Sequence, residues 1–166
     1  MSGDELPVNG YPLTSPAIDE SYARSRVRPG DIVVSIRASV GKCLPVPDGL
    51  SVANLTQGTA KVSPGMRVTR DYLLAYLNSG AAQVYFDLMA KGATFREITL
   101  DALRRTPVLV PPGDEQIEID QFVARHVGRV DRLVQLSERS IVTLKEHRSA
   151  LVTAAVTGQI DLREAV

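Results

Sequence analysis

Arg37, Ser39 and Lys42 flank one glycine-containing turn, Asn54, Thr56 and Gln57 lie together in a second, and Lys91, Thr94 and Arg96 occupy a third. These are side chains that duplex recognition uses. Arg and Lys bond guanine or phosphate, Asn and Gln bond adenine, and Thr reaches either a base or a phosphate. Polar loops are also the ordinary surface of any protein, so a single cluster of this kind says little. The chain has five Tyr, three Phe and no Trp, a composition poor in the stacking platforms that hold single strands. A duplex is therefore the better fit.

Reactive groups are scarce by comparison. Cys43 is the only cysteine, so no internal disulfide forms; beside Leu44 and Val46 it reads as a small buried hydrophobe rather than a nucleophile. His126 and His147 are 21 residues apart on one helical stretch, about 30 Å by helix rise, too far to share a metal within one chain. Acid pairs such as Asp114/Glu115 stand where a helix start explains them, and the glycines of SVGK and NLTQG lack the spacing of a phosphate loop. The expectation is a protein that binds rather than reacts, with no catalytic residue, metal ligand or cofactor of its own.

Charge points the same way. Lys plus Arg and Asp plus Glu each total 19, yet residues 24–105 hold twelve cations against six acids, residues 1–23 hold four acids and no cation, and residues 114–156 hold six cations and seven acids. A basic middle between neutral or acidic ends suits a polyanionic partner. No run of about 18 uncharged apolar residues exists, and the first residues, MSGDELPVNG, lack the basic start and apolar middle of a signal peptide. A cytoplasmic protein with no membrane role is expected.

The elements that must position these loops follow from period and punctuation. Residues 1–23 are rich in Pro, Gly and Ser and read as an acidic, loop-like leader. Arg28-Pro29-Gly30-Asp31 is a turn, with Pro presetting one central position and Gly supplying a positive φ at the next. Short strands are expected at 32–37, with Ile32, Val34 and Ile36 turned to one face, and at 43–46, 50–53 and 59–62. Thr69 caps a helix through DYLLAYLNS, a second helical piece ends at Gly92, and 107–110 is an extended apolar run. The fold class is α+β: a small, mostly antiparallel β-rich domain with short helices over 24–112, then a long helix over 113–158 and a tail over 159–166.

That helix begins abruptly. Pro111-Pro112 cannot continue a ladder, and Gly113-Asp114-Glu115 places acids at the positive end of a helix dipole. Only Gly128 interrupts 114–156, which corresponds to about 65 Å of helix. A domain of some 110 residues has a radius of gyration near ~13 Å, so a helix of this length needs a partner beyond it. Val123, Val130, Leu144 and Leu151 recur at seven or fourteen residues, and Leu133, Val134, Ile141, Ala154 and Ala155 form a neighbouring seam. Ser137, Ser140 and His147 break the stripe, as in a helix of limited pairing length and set register.

The stretches RVRPGDIVVSIRASVGK, DYLLAYLNS through KGATFREITLDALRRTPVLVPPGDEQ, and LKEHRSALVTAAVTGQID occur in an order that resembles the specificity subunit of type I restriction–modification systems, over most of residues 27–162. The resemblance implies a target recognition domain that ends at the Pro-Pro step, and a long spacer helix that finishes in AAVTGQID. It implies a non-catalytic, DNA-binding component. Two recognition domains would read a split duplex site, long helices would pack together, and modification (methyltransferase) subunits would dock there, with S-adenosylmethionine on those subunits and not on this one. Here there is one recognition domain and one helix, half a subunit, and the opening of a typical recognition domain is missing or compressed into 1–23. Pairing of two copies through antiparallel helices would restore the architecture. A second reading stays open, in which the chain is an assembly or decoy fragment that pairs with a specificity or modification subunit without reading DNA.

Overall fold

In a computed structural model, the structure describes residues 5–92 and 96–160. In chain order the elements are α1 (Pro16–Ser21), a 3-10 turn (Ala23–Ser25), β1 (Arg26–Val27), β2 (Ile32–Ser35), β3 (Cys43–Pro45), β4 (Ala53–Asn54), β5 (Thr59–Val62), α2 (Arg70–Leu77), α3 (Gly80–Met89), α4 (Leu100–Arg104) and α5 (Gly113–Val156). The class is α+β. Strand β2 is the centre of a three-stranded antiparallel sheet of order β3-β2-β5, and β1 pairs antiparallel with β4 in a separate ribbon.

The chain divides into two units, Met1–Gln121 and Phe122–Val166. In the first, β2 is buried along its whole length. Ile32, Val34 and Ile36 do share a face, against Leu73, Leu77 and Phe86 of α2 and α3. The opposite face is covered too, because Val33 joins Val27, Val46 and Leu50 in a second small cluster. A strand sandwiched in this way reads as a continuous apolar run, which is why IVV has no polar partner at Val33. The expected turn before it forms as read: the Asp31 amide donates to the Arg28 carbonyl at 3.0 Å, and Gly30 has φ 97°.

Residues 1–23 are not all loop. Pro16–Ser21 is helical, capped by the Ser15 hydroxyl, and two of its acids are spent on structure. Arg26 donates from Nε and Nη2 to Asp19 at 3.0 and 2.7 Å and from Nη2 to Glu20 at 2.6 Å, while the Asn54 amide also donates to Asp19. These bonds, that from Arg26 foremost, hold the Asp19 carboxyl below its ordinary range, and the two carboxylates push the Arg26 guanidinium upward. A depressed carboxyl stabilises the fold above its unfolded value near ~4 and loses that contribution as pH falls through the folded value. Urea titrations should therefore show a gap between the parent and Asp19→Asn at pH 6 that narrows as pH falls below the ordinary carboxylate range. A gap unchanged across that range would mean that Asp19 contributes nothing through its charge.

The joint between sheet domain and helix is centred on one buried side chain, Gln116. Gln116 lies in the first turns of α5 and is 1% exposed. Its Nε2 donates to the carbonyls of Arg67 at 2.9 Å and Pro111 at 2.8 Å, and its Oε1 accepts from the Thr69 amide at 2.9 Å. Thr69 is the N-cap of α2, and its hydroxyl also donates to Asp120, while the Tyr72 hydroxyl donates to the Leu109 carbonyl. The double proline leaves carbonyls without ladder partners, and a buried amide side chain supplies them.

In the second unit α5 continues to Val156, so the helix has 44 residues. Every residue from 124 to 153 is exposed. Apolar side chains at Leu133, Ile141 and Leu144 are 63%, 51% and 65% exposed, an arrangement expected of a surface that another helix covers rather than of a finished one.

Candidate nucleic-acid interface

Three loops meet at the end of β2. The β2–β3 loop is closed by the Gly41 amide donating to the Ser35 carbonyl at 2.9 Å and the Ser35 amide donating to the Lys42 carbonyl at 2.8 Å. Gly41 has φ 87°, a conformation that favours glycine, and a Cβ there would also crowd Gln83 Oε1 of α3 at 2.7 Å and Phe86 at 3.0 Å. Gln83 in turn donates to the Gly41 carbonyl at 2.9 Å and to Leu77 at 2.8 Å, fixing the loop on the helical layer.

The β4–β5 loop joins it where the Ile36 amide donates to the Gly58 carbonyl at 2.8 Å. The third loop arrives through bridges of Glu97 with both Arg37 and Lys91, and through Ile98 and Ala38 amides donating to the Ile36 and Arg96 carbonyls at 2.9 and 3.1 Å. Ala38 has φ 63°, the one non-glycine in the left-handed region among the described residues. Such a conformation costs on the order of 1 kcal/mol and persists because the bond to Arg96 holds it.

The convergence sorts the candidates. Arg37, Ser39, Thr56, Gln57, Lys91 and Arg96 are exposed on these loops and Lys42 is half-buried beside them. Arg37 is engaged: Nε and Nη2 donate to the Glu97 carboxylate at 3.2 and 2.9 Å. Arg96 donates to the Asp87 carboxylate at 3.0 Å and to the Asp87 carbonyl at 2.8 Å. Among the described residues, at least two of these four cations are paired with carboxylates, which lowers the local charge below what the cations alone suggest. Asn54 is placed elsewhere. It sits in β4, donates to Asp19 and accepts from the Ser25 hydroxyl at 3.1 Å, so its amide serves the fold. Thr94 lies outside the described residues.

Glu97, Asp87 and Gln116 are the residues that the loop-by-loop reading passed over. Arg96-Glu97 are adjacent in sequence, yet nothing local says that Glu97 faces Arg37, 60 positions earlier. Cys43 is buried, donates to the Gly41 carbonyl, and has its thiol pushed up to about 12 by burial, so it is no nucleophile at neutral pH. Among the described residues no group of His, Cys, Asp and Glu side chains could hold a metal ion, and no helix is long and apolar enough to cross a membrane.

The seven residues expected at a helix interface are arranged along α5. Val130, Leu133, Val134, Ile141, Leu144 and Leu151 are exposed and Val123 is half-buried. His126 stacks on Phe122 with ring centroids 4.0 Å apart, one turn apart on the same helix.

No protein-family model matches the sequence. Over 161 residues, 96% of the chain, it is 24% identical to the specificity subunit of the type I restriction enzyme EcoBI of Escherichia coli. A solved chain from work on complex assembly and conformational transition of the type I R-M system matches 79% of it at a TM-score of 0.67 and 26% identity. The chain is similar to part of a type I specificity subunit. It spans 34% of the length of the curated relative and 31% of that solved chain. The HsdS subunit from Thermoanaerobacter tengcongensis shares the fold, with a TM-score of 0.57 over 66% of this chain and 29% of its own, at 18% identity. The antiparallel sheets, short helices and long C-terminal helix are thus a specificity-subunit arrangement.

Proposed function

We propose that this chain is a non-catalytic DNA-recognition component of a type I restriction–modification complex, pairing through α5 with a second copy or another specificity subunit. The observation that carries the reading is the junction at the end of β2, where three loops distant in sequence present Arg37, Lys42, Lys91 and Arg96 beside Ser39, Thr56 and Gln57. Phosphate contacts from such cations would position a duplex and the polar side chains would meet base edges. The similarity to specificity subunits supports the same role. S-adenosylmethionine would belong to a partner methyltransferase subunit, and no residue here is assigned to it.

Retention of labelled random duplex at 50 and 200 mM salt tests the proposal. Binding is expected to fall steeply with salt, and Arg37→Ala with Lys42→Ala to weaken it roughly tenfold and flatten the slope by about one unit, the share of Lys42, because Glu97 already balances Arg37. A chain that retains no duplex even at 50 mM would be an assembly or decoy fragment instead. The engagement of Arg37 and Arg96 by carboxylates, and of Asn54 by the fold, is what favours that second reading.

A further inference from the structure

The Arg37–Glu97 pair has a geometry that an ordinary surface ion pair lacks. Both side chains remain about half exposed, 48% and 43%, so solvent screens their attraction and charge alone contributes little. Both backbones, however, are locked opposite one another by the antiparallel bridge, and Glu97 bridges Lys91 as well. The carboxylate covers the Nε/Nη2 edge of the guanidinium, with bonds from Nε at 3.2 Å and from Nη2 at 3.2 and 2.9 Å. Nη1 takes no part in this pairing. Nη2 donates to both carboxylate oxygens, so the group left outside the pairing is Nη1 with its two hydrogens, in a plane that Glu97 sets.

Resting on the DNA-reading proposal above, we infer that Glu97 is a positioning residue for base readout: it aims the Nη1 amino group of Arg37 at the O6/N7 edge of a guanine in the major groove. A neutralised guanidinium has lost most of its attraction for a phosphate anion, because the carboxylate already balances its charge. Its Nη1 keeps two N–H donors in the guanidinium plane, and a guanine edge needs donors in the right plane rather than net charge. Fixing the side chain in advance also removes rotamer freedom that binding would otherwise cost. Glu97 thus trades non-specific affinity for discrimination at one base pair.

The experiment is selection from a randomised duplex library with the full chain, followed by affinities for the selected site and for a copy with its guanine replaced. Parent, Glu97→Ala, Arg37→Ala and the double variant are compared, with a thermal melt on each to confirm folding. The parent is expected to prefer guanine at one position, and either single change to reduce that preference roughly tenfold. The double variant should lose no more than the singles, since the two residues act as one device. Non-specific binding should rise in Glu97→Ala and fall in Arg37→Ala. A Glu97→Ala chain that binds every duplex more tightly while keeping the parent's preference at each position would overturn the inference, leaving Glu97 as a repulsive charge only. A parent that binds duplex without any preference for guanine would also overturn it. A parent that binds no duplex removes the DNA-reading proposal itself, a different failure with a different signature.

Discussion

Gln116→Leu is expected to destabilise the first unit by roughly 3 kcal/mol, with a melting midpoint lower by on the order of 10 °C. The side chain is buried and satisfies three backbone groups at once: the Arg67 and Pro111 carbonyls and the Thr69 amide. Leucine fills most of the space but leaves all three without partners, and a buried polar group left unbonded costs about 1–3 kcal/mol. Relaxation toward water near Pro111 would recover part of that sum. Gln116→Glu adds a sign that can be checked. A carboxylate at this site would face two carbonyl oxygens, so burial and repulsion raise its folded pKa above its unfolded value near ~4.3. A raised acid stabilises below the unfolded pKa and loses that contribution as pH rises. The glutamate variant should therefore lie closest to the parent near pH 4 and fall behind it toward pH 7. Chemical denaturation at the two pH values measures this. Equal deficits at both would mean that the carboxylate has swung out of the joint.

Leu133→Asp combined with Ile141→Asp is expected to abolish self-association in sedimentation, raising the dissociation constant by about a thousandfold or more. Both side chains lie on the recurring apolar stripe of α5 and are more than half exposed. In an antiparallel pair two substitutions per chain put four carboxylates into one seam, each desolvated without a partner. Val142→Asp provides the contrast. Val142 is 55% exposed, similar to Ile141, but sits about 100° round the helix from it. That change should leave the mass of the assembly as it was. If both variants dissociate equally, the association is unspecific apolar contact; if neither does, the stripe pairs with nothing in solution and the seam is misassigned.

Much of the fold was legible because its signals are local. Pro29-Gly30 announced a turn with a positive φ, Thr69 announced a cap, and both formed. The α5 helix over Gly113–Val156 followed from an acidic start after two prolines and from the near absence of breakers. Strand β2 ended at Ser35, two residues short of its expected limit, because Ile36 and Arg37 leave the ladder to bond the Gly58 loop and to bridge Glu97. The leader hid a helix because six residues, PAIDES, are too few to carry a period; its stability comes from Ser15 and Arg26 rather than from a pattern.

Of the candidate site, composition and order determined which loops carry cationic and amide side chains, and the helical period determined which face of α5 is apolar. These are properties of neighbours a few residues apart. Only the tertiary structure decided which of the polar groups are at liberty to meet a ligand. It withdrew Asn54 into the Asp19–Arg26 network, set Glu97 against Arg37 across 60 positions, and buried Gln116 beneath a loop 47 positions before it. A carboxylate or an amide has the same local signature whether it faces solvent or a partner. The choice is made by the strand order β3-β2-β5, which draws distant loops to one end of a sheet.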